Sequence, residues 1–387
     1  MKRREVLKGL AALPASAAAA KVNDHQRNPF QHGVASGDPD DSSVVIWTRI
    51  TSDGSDQTVD WELSLDTEFS TLVASGQQLA THHRDFTVKV VVPDLAPGTH
   101  YYFRFKSRKW ASDKGKTMTL PSGSLSKLGI ALASCSNFAF GFFNAYEAIA
   151  EDDDIDVVLH LGDYIYEYGA AGWGAETALR INRAHRPLDE IISLNDYRER
   201  HAQYKSDHGS KLMHASKPLL LVWDDHESAN NPWIGGAQNH QSPEEGPWRD
   251  RRNNAIQAYY EWMPVRDPQI DMDRKQFWRA YQFGDLLHDK KFDDWFYRQA
   301  HAQQLLPPSP LPTSAGNRPA HPASTDGTRR WPPACRAPVA AGTPPSALPP
   351  TCGQPSVCAW ERLAGHRRCP AHATHFRLDR RSVSTPP

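Results

Sequence analysis

Apolar and polar positions alternate with a period of two over four short stretches: Ser43–Arg49, Val59–Leu65, Phe86–Val92 and Tyr101–Phe105. In the second, Val59, Trp61, Leu63 and Leu65 fall on one face, as alternate strand residues must. Turn-forming residues separate the stretches at Asp38-Pro39-Asp40, Asp53-Gly54 and Ala96-Pro97-Gly98. Half-buried strands at this spacing predict an N-terminal antiparallel β-sandwich over residues 28–120. Pro97-Gly98 ahead of Tyr101-Tyr102 fits a corner of an immunoglobulin-like sandwich. His82-His83 reads as a pair of solvated loop residues rather than a site, since adjacent strand residues would point to opposite faces.

The pattern changes after Lys127. Gly129–Ala133, Asp156–Leu161 and Leu219–Trp223 are near-continuous apolar runs. Helical stretches at Phe142–Ala150 and Asp196–Tyr204 lie between them. Strands buried on both faces and separated by helices predict an α/β layer, whose chemistry gathers at the carboxyl ends of the strands.

Each run ends in polar groups able to bind metal. The first ends at Ser134-Cys135-Ser136-Asn137, the second at Gly162-Asp163-Tyr164-Ile165-Tyr166-Glu167, the third at Asp224-Asp225-His226-Glu227. Gly162 allows a sharp exit from its strand. Asp163 then offers two oxygens able to bridge cations, and Tyr166, three residues on, offers a phenolate suited to ferric iron. Cys135 reads equally as a small core residue or as a thiolate ligand. Asp225 and His226 offer a carboxylate beside an imidazole able to donate a proton. Asp-Asp-His-Glu reads equally as a helix N-cap with an acidic first turn. Glu151-Asp152-Asp153-Asp154 precedes its strand, at the opposite end, and reads as a solvated loop.

Composition alters the picture at the two ends. Over 387 residues the net charge is −1, with no general basic surface for nucleic acid and no apolar run long enough for a transmembrane helix. Met1-Lys2-Arg3-Arg4, followed by an Ala-rich stretch, predicts a twin-arginine-type signal peptide over 1–22. Such a signal directs export by the twin-arginine machinery to the periplasm or beyond. Residues 301–387 hold 17 of the 30 Pro, 10 Arg and no Lys. This predicts a disordered Pro/Arg-rich tail over 288–387, read as a native linker or, preferably, as out-of-frame sequence. Its Cys335, Cys352, Cys358 and Cys369 lack the paired spacing of a zinc module.

Taken together, Phe30–Pro39, Ala133–Asn137, Gly162–Glu167, Asp196-Tyr197-Arg198, Trp223–Asn231 and Ala258–Pro264 resemble the alkaline phosphatase D (PhoD-like) family of metallophosphoesterases over about residues 27–287. The resemblance implies a β-sandwich followed by a four-layer α/β/β/α phosphoesterase domain, here incomplete, over 121–287. It implies hydrolysis of phosphate esters by a hydroxide generated at a centre of Fe3+ and Ca2+. Carried over, Cys135, Asp163 and Tyr166 correspond to iron ligands and Asp225 to a ligand of the second metal. Asn230 and Asn231 are further ligand candidates, His226 a proton donor or phosphate contact, and Arg198 a phosphate clamp. The family's later Gly-Asp-x-His segment has no counterpart after Leu287. The alternative expectation is therefore a truncated, inactive relative that keeps its β-sandwich as a binding module.

Overall fold

The computed structural model describes residues 28–268, 277, 279–285, 287–288 and 373–379. All of them belong to one compact unit, 1–307 with 371–387. The signal segment, the four tail cysteines and most of the predicted tail lie outside the described residues.

Eight strands come first: β1 (Val34–Gly37), β2 (Val44–Arg49), β3 (Gln57–Ser64), β4 (Leu72–Ala80), β5 (Thr87–Val92), β6 (His100–Ser107), β7 (Trp110–Ala111) and β8 (Gly115–Met118). There follow β9 (Lys127–Ala133), α1 (Asn144–Glu151), β10 (Val157–His160), α2 (Ala175–Ile181), α3 (Leu194–Ser206), α4 (His208–Ser216), β11 (Leu219–Leu221) and α5 (Trp248–Trp262). A short hairpin, β12 (Gln282–Phe283) with β13 (Leu287–His288), and a last strand β14 (Ala373–Asp379) complete the described elements.

The N-terminal strands divide between two sheets. One has the order β4-β3-β6-β7, with β8 also on β6. The other runs β14-β9-β10-β11-β1-β2-β5. One apolar cluster takes Val44, Ile46 and Val88 from the second sheet and Val59, Leu63, Phe103 and Phe105 from the first. Within the larger sheet β9, β10 and β11 are parallel, and β1 joins β11 at Gly37↔Leu219. Gly37 is required at that splice, since a Cβ there would stand 2.6 Å from the Leu219 carbonyl oxygen and 2.7 Å from that of Pro264. Asp38 continues the join: its N–H donates to Leu219 O at 3.0 Å, and its carboxylate accepts from Arg266 N, Arg279 Nη1 and Tyr281 Oη. The Phe30–Pro39 motif thus fastens the N-terminal strands to the α/β strands.

Several expectations change in detail. Leu65 is 48% exposed because the β3–β4 register shifts between Leu63 and Ser64, ending the alternation that buries Val59 and Leu63. His82 and His83 lie in a 3-10 turn, solvated as expected, with their rings tilted against each other at 3.8 Å. Tyr101 makes the expected corner, its hydroxyl accepting from Ala96 N at 2.9 Å. The featureless tail is corrected at one place. β14 pairs antiparallel with β9 from Ala373↔Ala133 to Asp379↔Lys127. Edge groups of β9 would otherwise lack backbone partners on that side, and a strand of any composition can supply them.

Behind β10, α3 and α4 lies a polar set with almost no access to water: His160, His201, Lys205 and His214. His214 Nε2 meets Tyr164 Oη at 2.8 Å and Lys205 Nζ at 3.1 Å, and His160 Nε2 meets Tyr146 Oη at 2.8 Å. Burial holds His160 down to about 3; burial, with the Lys205 and Arg200 charges, holds His201 down to about 3. The unfolded imidazoles take a proton near pH 6.5. Between that pH and about 3 the unfolded chain binds more protons, so stability falls as pH falls. Thermal melts should show Tm dropping from pH 7 to pH 5. His201→Phe, which keeps a flat ring against Trp262, should flatten part of that slope; an unchanged slope contradicts the assignment.

Candidate metal centre

Three parallel strands bring their carboxyl ends to one edge, and the loops beyond them interlock. Cys135 N donates to Gly162 O at 3.2 Å and Ser136 N to Asp163 O at 3.0 Å. Gly162 has φ +98°, and a Cβ there would stand 2.4 Å from Asp224 Cβ. Cys135 (φ +55°) and Asp163 (φ +53°) both occupy the left-handed region, unusual for residues with a side chain. Glu227 helps hold this arrangement. Its buried carboxylate accepts from Asp163 N at 3.0 Å, from Tyr164 N, and from Asp224 N at 2.7 Å. Asp224 and Glu227 cap each other across the 3-10 turn Asp225–Glu227. The N-cap reading of Asp-Asp-His-Glu is realised by Asp224 and Glu227, which leaves Asp225 and His226 of the same turn outside the cap.

Asp163, Asp225 and His226 each offer one ligand atom, all within 4.8 Å of one another. Tyr166 Oη donates to Asp163 Oδ2 at 3.2 Å, and the Cys135 thiol lies within electrostatic reach of the same carboxylate. Burial pushes Asp163 up to about 7; His226 opposes this, while the Asp224 and Asp225 charges add to it. Cys135 retains solvent access as a residue, but partial desolvation and then the Asp163 charge push its thiol up to about 12. Burial and the same carboxylate push the Tyr166 phenol far above its ordinary range. Each shift records crowded negative charge with too little water, which a cation would offset. Hard oxygen donors with one imidazole and one thiol fit a multivalent cation.

His226 is fixed by a residue the sequence reading did not single out. Its Nδ1 meets Glu167 Oε2 at 2.7 Å, and Glu167 is fully buried. Glu167 Oε1 also accepts from Asn230 N and Asn239 Nδ2, each at 2.7 Å. Burial alone would lower the His226 pKa. The Glu167 hydrogen bond and charge, with Asp163 and Asp225, lift it to about 10. The signal for Glu167 was its place one residue after Tyr166, but nothing local distinguishes it from a surface acid.

Other predicted site residues are placed differently. Asn230 and Asn231 both donate their side-chain Nδ2 to Gln238 Oε1, at 2.8 and 2.7 Å. Their backbone N–H groups brace Glu167 and Asp225. Arg198 is engaged elsewhere. Its guanidinium makes a two-point ion pair with Glu261 (2.7 and 2.8 Å) and donates to His83 O at 2.7 Å, tying α3 to α5 and to the 82–84 turn through Nε and Nη2. The rest of that motif is also architectural. Asp196 forms a capping box with Ser193, and Tyr197 Oη donates to Ser228 O at 2.5 Å. Glu151–Asp154 is a largely exposed loop ahead of β10, as expected.

Gly162→Ala combines a forced left-handed φ with the Asp224 collision. It should cost about 1–3 kcal/mol of stability and weaken metal uptake. Urea unfolding and metal titration check both effects; wild-type values in both would contradict the packing argument.

Comparison with known proteins places the chain in a family. The family model described as PhoD-like phosphatase matches residues 130–329, and the PhoD-like phosphatase N-terminal domain matches 15–121. The match runs past Leu287, where the motif resemblance ended. The chain is 38% identical over 301 residues to alkaline phosphatase D of Bacillus subtilis (strain 168), covering 73% of this chain and 49% of that protein. The solved structure of PhoD superposes with a TM-score of 0.60 at 38% identity, covering 67% of this chain and 50% of the other. This chain therefore spans about half the length of the relatives it matches. On the length and identity of these matches, it belongs to the PhoD-like phosphatase family.

Proposed function

We propose that this chain follows the plan of an exported, metal-dependent phosphoesterase. The observation that carries the reading is the convergence of Asp163, Asp225 and His226 within 4.8 Å, at the ends of parallel strands. Ferric iron and calcium, when bound, supply Lewis acidity and an activated water. Asp163, with Cys135, Tyr166 and Asp225 around it, would hold them. The Glu167 contact to Nδ1 leaves Nε2 of His226 for the substrate, where it delivers a proton to the leaving oxygen. The rings of Tyr166 and Tyr168, 4.3 and 5.5 Å from His226, restrict water around that proton. Arg3-Arg4 and the Ala-rich stretch support twin-arginine export and a periplasmic or secreted location. The separate family matches, 15–121 and 130–329, support a division of the sequence near residue 121.

Full-length chain prepared with iron and calcium should hydrolyse p-nitrophenyl phosphate or its bis ester. Asp163→Ala should lower kcat/KM by at least about 10²-fold, more than loss of a supporting residue does. Arg198→Ala should lower Tm and leave kcat/KM within severalfold, since its partners lie in the helices. A second reading is an inactive relative that keeps its N-terminal strands as a binding module. No turnover together with no stoichiometric iron and no visible charge-transfer band selects that second reading; turnover unaffected by Asp163→Ala overturns the first.

A further inference from the structure

Large rings line the approach to the cluster and are left in water. Trp173 is 54% and Phe140 44% exposed, yet their rings pack at 4.7 Å. Trp173 also lies 5.7 Å from the Tyr166 ring and 5.8 Å from Tyr168. An aromatic wall therefore starts at residues touching Asp163 and His226 and runs outward to solvent. It is a built feature. Asn137 Oδ1 accepts from Ala139 N at 2.9 Å and caps the 3-10 turn Phe138–Phe140. Gly174 (φ +93°) lies so close that a Cβ would be 2.9 Å from Phe140 Cε2. Turn hydrogen bonds Gly172 N→Gly169 O (2.9 Å) and Ala175 N→Gly172 O (3.1 Å) set the loop that carries Trp173.

We infer that this wall is a subsite for the alcohol portion of the phosphoester, selecting substrates that carry a flat ring with an apolar face. The inference rests on the phosphoester reading above. A phosphoryl group held at Asp163, Asp225 and His226 puts its ester substituent beside Tyr166 and Tyr168, and so in reach of Trp173. The exposed faces of Trp173 and Phe140 regain there the dispersion contacts that water does not provide. A methyl ester reaches neither ring. The wall therefore discriminates on the substituent, while the charged cluster treats all phosphoryl groups alike.

Calorimetric titration of the full chain, prepared with iron and calcium, with phenylphosphonate and methylphosphonate tests this without turnover. Phenylphosphonate should bind roughly 3- to 10-fold tighter, the range of an aromatic contact. Trp173→Ala and, separately, Phe140→Ala should each shrink that preference and leave methylphosphonate affinity within about twofold; their melting curves report folding. Equal affinities, no binding of either compound, or a preference surviving in both variants overturns the inference. Phosphate release measured on the same preparations reports separately on hydrolysis: binding preference without turnover defeats the phosphoesterase reading and leaves the wall standing.

Discussion

The carboxylate of Glu227 accepts three backbone N–H groups, two from the loop after β10 and one from the loop after β11. Backbone donors leaving parallel strands have no ladder partner, and burying them unpaired costs more than most single interactions return. Glu227 supplies those partners from inside the fold. Asp163 can then hold a left-handed backbone with its carboxylate turned toward Asp225 and His226. Burial and the Asp163 charge push the Glu227 carboxyl upward, while the same backbone donors stabilise its ionised form. The centre is thus positioned by a residue that faces away from it.

Charge is organised in two layers. Asp163, Asp224 and Asp225 concentrate negative charge where a cation would sit. Behind them, Glu167 holds His226 by Nδ1 and is itself held by Asn230 and Asn239. Each inner group is aimed by an outer one, the arrangement on which metal and proton-transfer sites depend for precision. Asn230 and Asn231 belong to the outer layer. Their amides share Gln238, and their backbones steady the acids in front of them.

Arg198 illustrates why a motif does not disclose the direction of a side chain. In Asp196-Tyr197-Arg198 the sequence offers a cation near a phosphate-handling family motif, and a clamp is the natural reading. In the fold, α3 turns that guanidinium toward Glu261, a residue 63 positions later. Cys135, Asp163 and Tyr166 were legible for the opposite reason. Each lies within six residues of the end of a strand that an apolar run marks, so local pattern and final position coincide. Glu167 and Glu227 were not, because their value lies in contacts with residues 59 to 64 positions distant.

Local periodicity by itself determined the strand segments, the change to an α/β layer after Lys127, and the three strand ends that carry the chemistry. Those follow from 2-residue alternation, continuous burial and turn residues, all expressed within a few positions. Tertiary structure alone decided that the N-terminal strands share a sheet with β11 through Gly37 and Asp38, and that a strand at 373–379 covers the edge of β9. It also decided which acids converge on one point and which only brace them. Sheet partners and hydrogen-bond partners are chosen across the chain, by close approach and by the need to satisfy buried polar groups, and neither is written in any one segment.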